Sequence, residues 1–186
     1  MTWKEAFLPK FHDIHDMVIP MYLKNFTENQ IRKSPSHGNP IIWQIWHILR
    51  GQDIGLSSFV LEEEEIYEKE QWYAKMKTPR AVVGTGMTYT EVQELSDNID
   101  YSALVQYKER VRQNTLDRIE DLSDDYLSKK PAWSTVEDIV IRMTGNNALW
   151  VLKYYDGRNR LWFLMQLLIM HVHYHFGQIS IIKKSL

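Results

Sequence analysis

The chain has no cysteine. Disulfides, thiolate metal ligands, a c-type haem linkage and a cysteine nucleophile are thereby excluded, and any thiol chemistry must use a thiol from outside the chain. A dominant charge is missing too: 22 Lys and Arg against 24 Asp and Glu leave a net charge of −2, too balanced to attract a polyanion. Nucleic acid is not an expected partner. Long apolar runs are also absent. The longest, Leu161 to Met170, is interrupted by Gln166 and followed by three histidines, well short of the ~20 apolar residues of a membrane span. The first ten residues carry Glu5 and no clean apolar core, so they do not read as a secretory signal. No membrane partner and a cytoplasmic location are expected.

Several catalytic motifs are missing as well. No Glu-x-x-His occurs, which disfavours di-iron carboxylate chemistry. No Gly-rich phosphate loop, Gly-x-Ser-x-Gly elbow or His-Glu-x-x-His occurs either, leaving nucleotide hydrolysis, serine esterase chemistry and zincin-type proteolysis without apparatus.

With 186 residues, 44% of them apolar and 25% charged, the chain has the composition of one folded globular domain spanning 1–186. Only 8 glycines and 6 prolines punctuate it, and long segments lack period-2 alternation, so the class is all-α. A first helix is predicted from about Trp3 to Phe26, with Phe7, Phe11, Ile14, Met17, Val18, Met21 and Tyr22 on one face and a kink near Val18 or Ile19 caused by Pro20. Asn39 and Pro40 open a second helix running to about Glu63, apolar nearly all round and therefore central. Residues 67–87 read as a long loop of the kind that borders active sites. Thr88 and Glu91 have capping-box spacing and start a short helix to about Leu95, followed by a bundle helix from Asp100 to Leu122. In residues 131–160, Val136 to Met143 fits a short helix, and Tyr155-Asp-Gly-Arg158 is a turn signal compatible with a connection between two strands. The last helix, Arg160 to Lys184, puts Leu164, Leu168, His171, His175, Gln178 and Ile182 on one stripe and ends in Lys183 and Lys184.

That stripe carries the chemistry. Residues four apart on a helix lie one above the other, so His171 and His175 can hold one cation together, whereas His173 is rotated by about 200° and faces away. His47 occupies a similar apolar face of the second helix. Three imidazoles from two helices suit zinc, nickel, copper or iron(II) and leave a coordination position open, a catalytic type of site. Gln178 can orient His175 or a substrate, or make an interhelical hydrogen bond. Asp53 lies about 240° round the helix from His47 and reads as a surface ion pair in preference to a partner of the histidines. His12 and His15, beside Asp13 and Asp16, read as surface residues, and His37 as a loop residue. The seven tryptophans and ten tyrosines read as core and interface material.

Together, Asn39-Pro-Ile-Ile-Trp-Gln-Ile-Trp-His47 with Asp53 following, Gly86-Met-Thr followed by Glu91, and His171-x-x-x-His175-x-Gly-Gln178 make a pattern that resembles the DinB/YfiT-like superfamily over nearly the whole chain. The resemblance implies a four-helix bundle in up-down-down-up order, here with an extra short helix and irregular connections. It also implies one divalent metal held by His47, His171 and His175, zinc or nickel first, with iron or manganese compatible. The family includes S-transferases and isomerases that use bacillithiol, mycothiol or glutathione, and many of its members form homodimers. The expectation is a metal-dependent enzyme that transfers a low-molecular-weight thiol to a small electrophile. The alternatives are a hydrolase using metal-activated water, a non-enzymatic metal- or ligand-binding stress-response protein, and a plain helical interaction protein whose histidines are core hydrogen-bonders.

Overall fold

A computed structural model describes residues 2–35 and 38–182; His37, Lys183 and Lys184 lie outside the described residues. Among the described residues there are 11 helices, counting each continuous run once, and no strand. They are α1 (3–25), α2 (Glu28–Arg32), α3 (41–60), α4 (Ile66–Lys69), α5 (Trp72–Met76), α6 (Tyr89–Asn98), α7 (Tyr101–Ile119), α8 (Asp124–Ser128), α9 (Trp133–Thr144), α10 (Trp150–Tyr155) and α11 (160–182).

The four longest, α1, α3, α7 and α11, form the bundle, and cross-helix contacts fix their directions. Asp16 pairs with Arg112 at 2.8 Å and Lys4 donates to the Glu120 carbonyl at 2.6 Å, so α1 and α7 run antiparallel. His47 meets His171 while Phe59 stacks on Phe163, so α3 and α11 are antiparallel. Gln52, bonded to His15, reaches the Leu168 carbonyl, and Tyr22 meets Ser180, so α1 and α11 run the same way. The order is up-down-down-up.

Local chemistry sets the boundaries. Thr2 with Glu5, Thr27 with Gln30 and Thr88 with Glu91 form reciprocal capping boxes at the starts of α1, α2 and α6. Pro40 is itself the cap of α3, and the helix begins at Ile41, one residue later than the sequence suggests. Each of α1, α3 and α11 contains a π-helical turn, at Asp13–Val18, Gly55–Val60 and Gln166–Met170. The first lies immediately before Pro20, where the ring removes a donor and crowds the preceding turn; the wider turn absorbs the mismatch that the sequence presents as a kink. Residues 131–160 form α9 and α10, and the turn at Asp156 and Gly157 joins helix to helix, not strand to strand.

Two polar residues sit differently from expectation. His15 is 0% exposed instead of lying on the surface. It stands four residues after Phe11 on the same helix face, with ring centroids 4.4 Å apart, while its acidic neighbour Asp16 is exposed. Asp53 does face away from His47, but all fourteen residues of Ile41–Ile54 are buried, so the opposite face is core as well. Its carboxylate accepts hydrogen bonds from Tyr107 Oη (2.7 Å), the Tyr67 and Ile66 N–H groups (2.9 and 3.2 Å) and Ser57 Oγ (3.1 Å). Beside it Arg50, fully buried, donates to Glu65 at 2.6 Å and lies over the Tyr67 ring, and Glu65 also receives Arg142 at 2.7 Å.

Candidate metal centre

Antiparallel packing of α3 on α11 brings His47 opposite His171 and His175. Their Nε2 atoms converge: His171 Nε2 lies 3.1 Å from His47 Nε2 and 3.0 Å from His175 Nε2. One ligand atom from each lies within 4.8 Å of the others, a group able to hold a metal ion. His173 is exposed, and its Nδ1 bonds the Ile169 carbonyl at 2.8 Å, away from the cluster.

The outer nitrogens decide what the inner ones can do. His47 Nδ1 faces the Val83 carbonyl, which only accepts, so Nδ1 carries the proton and Nε2 presents a lone pair. His175 Nδ1 likewise faces Gln178 Oε1 at 2.9 Å, directing its Nε2 lone pair inward. His171 Nε2 can donate to only one of the two, while its Nδ1 is buried with no hydrogen-bond partner. Protons therefore leave the group unsatisfied whichever tautomer His171 adopts. A cation accepting three lone pairs resolves this, and about 3.3 Å between nitrogens is what a tetrahedral ion with bonds of ~2.0–2.1 Å requires. The donor set fits a divalent metal.

Electrostatics agree. Burial lowers the His47 pKa to about 3, helped by the neighbouring His175. Burial and the other two imidazoles hold His171 well below its usual value, and burial lowers His175. All three are neutral at pH 7, the state a metal ligand needs.

Small residues permit this approach. Gly84, at φ +100°, carries the strap that ends on the Val83 carbonyl; a Cβ there would lie 2.7 Å from Trp43 and 3.2 Å from His47 Nδ1. Trp43 in turn stacks on His47 with ring centroids 4.8 Å apart. At Gly51 a Cβ would come within 3.3 Å of the His171 ring.

His47 and His171 also form part of the wall of a cavity of 120 Å³ between α3, the 83–85 strap, α9, α10 and α11. No Asp, Glu, Lys or Arg lines it. Sequence reasoning found the three histidines and Gln178, but it missed Val83, whose contribution is a backbone carbonyl, and the cavity residues Gln166, Trp150 and Tyr154. Of these only Gln166 left a signal, as the polar break in an apolar run.

An up-down-down-up bundle with three neutral imidazoles converging from two antiparallel helices defines a class of helical protein with a site able to hold a metal ion. The model of the DinB superfamily matches residues 13–179, and the chain belongs to that superfamily. A crystal structure of a conserved protein from Enterococcus faecalis has the same fold, with a TM-score of 0.71 at 14% identity over 99% of this chain and 96% of that one. No curated protein matches the sequence. No helix among the described residues is long and apolar enough to cross a membrane.

Proposed function

We propose that the protein is a metal-dependent enzyme that transfers a low-molecular-weight thiol to a small electrophile, with His47, His171 and His175 holding one divalent cation, zinc or nickel in first place. The observation that carries this is the pairing of three inward lone pairs with a cavity that contains no carboxylate or lysine. When bound, such a cation supplies positive charge that lowers the pKa of a coordinated thiol. Val83 and Gln178 keep the protons of His47 and His175 on their outer nitrogens, and Gly51 lets the His171 ring sit close to α3. Hydrolysis would call for a base beside the site, and the lining offers none beyond the imidazoles already committed to the cluster. A cytoplasmic location goes with this reading, because reduced thiols are kept there. So does a homodimer: adjacent helices α1 and α11 carry the exposed apolar side chains Met17, Met170, Tyr174 and Ile181, a surface suited to a second copy.

The test combines metal-loaded protein with bacillithiol, glutathione or cysteine and monochlorobimane, following conjugate formation against the His171→Ala variant. A rate that depends on His171 is expected. No rate above that variant with any thiol, together with hydrolysis of simple esters or amides, would replace this reading with the hydrolase. Metal binding without either activity would leave a binding protein.

A further inference from the structure

The electrophile's chemistry can be read from the cavity beside the histidines. Its volume of 120 Å³ is close to the ~150 Å³ that encloses one benzene in an apolar protein cavity, so a single six-membered ring fills it. Ile54, Val83, Met143, Val151 and Leu167 supply the walls. Without a metal, a charged group placed there would lose its hydration with no counter-charge among the lining side chains, which selects a neutral ligand. Trp150 and Tyr154, also part of the lining, are 68% and 43% exposed and offer aromatic faces where the cavity meets solvent.

Thr85, Tyr154, Tyr155 and Gln166 bring polar side-chain groups to this wall that make no hydrogen bond to a described residue, and Gln166 alone among them shares a helix with His171. Gln166 begins the π turn of α11 and lines the cavity together with His171, five residues on; a π turn brings residues five apart near one another, as an α-helix does not. Its side-chain amide makes no hydrogen bond to any described residue, whereas Gln44, Gln52 and Gln178 all do. An amide beside a lone-pair cluster, in a mostly apolar wall, is placed to donate to an oxygen of the ligand.

We propose that the cavity takes the ring of a neutral conjugated carbonyl compound, with the Gln166 amide N–H donating to its carbonyl oxygen. This rests on the thiol-transfer reading for its reaction, but the binding it describes does not require a metal. In that reaction the thiolate sulfur forms a bond to the β-carbon, and the carbon–carbon π pair moves toward the carbonyl, placing negative charge on its oxygen. Gln166 stabilises that charge. The α-carbon then takes a proton from water, replacing the one the thiol released, so nothing is expelled and no oxidant or reductant is used. Addition of this kind requires no group to protonate a departing oxygen or nitrogen, and the lining contains no carboxylic acid or ammonium to do so.

The experiment measures binding of cyclohexanone, an unreactive ring ketone, to the full chain by saturation-transfer NMR, with and without metal. Cyclohexanone should bind in both forms, and cyclohexanecarboxylate should not bind the metal-free form. Val151→Trp should abolish binding by filling the cavity, while Gln166→Leu should weaken the ketone roughly tenfold, the size of one lost hydrogen bond, and leave benzene within about twofold. With metal-loaded protein, the rate of glutathione addition to 2-cyclohexenone should fall in Gln166→Leu. Equal binding of carboxylate and ketone to the metal-free protein, or unchanged ketone binding in Gln166→Leu, overturns the proposal whatever happens to Val151→Trp. Failure of thiol transfer alongside intact, Gln166-dependent ketone binding overturns the transferase reading and leaves this site standing.

Discussion

His15 should make the protein acid-sensitive by a calculable amount. Its ring is fully buried against Phe11, with ring centroids 4.4 Å apart, and Nε2 meets Gln52 Oε1 at 3.0 Å. Gln52 uses its own amide N–H on the Leu168 carbonyl, so its oxygen accepts and His15 Nε2 donates. That leaves Nδ1 as a buried lone pair with no partner. Protonating it would place a charge in the core near Lys108 and Arg112, and burial followed by the Lys108 charge lowers the pKa to about 3. The unfolded chain, with a histidine pKa of about 6.5, binds a proton that the folded chain refuses. The stability that His15 contributes is therefore full above pH 6.5 and is lost as pH falls toward 3. Between pH 7.5 and pH 5.0 the loss from this one group is about 2 kcal/mol. Urea unfolding of wild type and His15→Gln at the two pH values, in chelator throughout, isolates it, because other titrating groups are common to both. The wild type should lose about 2 kcal/mol more than the variant. Equal losses would show that His15 is not a neutral buried ring.

Four further outcomes are expected. Alanine at His47, His171 or His175 should remove bound metal in elemental analysis, whereas His173→Ala should retain it; full occupancy in any of the first three would take that residue out of the site. Chelation should lower the melting temperature without abolishing helical circular dichroism, the stability lost being about 2.7 kcal/mol relative to protein with free metal a hundredfold above its dissociation constant. Glu65→Gln should cost about 3–5 kcal/mol, since Arg50 then keeps only Asp53, 3.8 Å away, as a buried counter-charge; thermal melts should fall by at least about 6 °C. Tyr174→Glu should shift any dimer to monomer in sedimentation, and an unchanged mass would place the interface elsewhere or nowhere.

What was legible in the sequence was whatever depends on an ideal period or a local cap. Thr88 and Glu91 announced the start of α6, the stripe Leu164, Leu168, His171 and His175 announced the buried face of α11, and the apolar circumference of Ile41–Ile54 announced the central helix. His15 reads as a surface residue because of its acidic neighbours Asp13 and Asp16, although it stands four residues after Phe11 on the buried face; Gln166 lies in a π turn, where counting at 3.6 residues per turn puts it away from His171. Asp53 shows a different failure. Its angle from His47 was right, but its environment came from α7 and the start of α4, through Tyr107 and Tyr67. Those distant contacts leave no periodic mark.

The same departures from ideal helix build the site. In α11 the π turn ends at Met170, directly before His171, so the segment that carries Gln166 into the cavity also delivers the first histidine to the cluster. Gln52 holds the Leu168 carbonyl within that turn, and His15 holds Gln52 from α1. The ring of His171 is thus positioned from two sides, by Gly51 beneath it and by a hydrogen-bonded chain reaching through the turn that precedes it. His47 and His175 are instead set by their own Nδ1 partners. Of the three candidate ligands, His171 alone lacks such a partner, so its placement depends most on the backbone of α11. A change at Gln52 should accordingly disturb His171 more than the other two, read as a larger shift of its ring resonances in NMR on Gln52→Leu; equal shifts at all three histidines would show that the π turn does not carry the coupling.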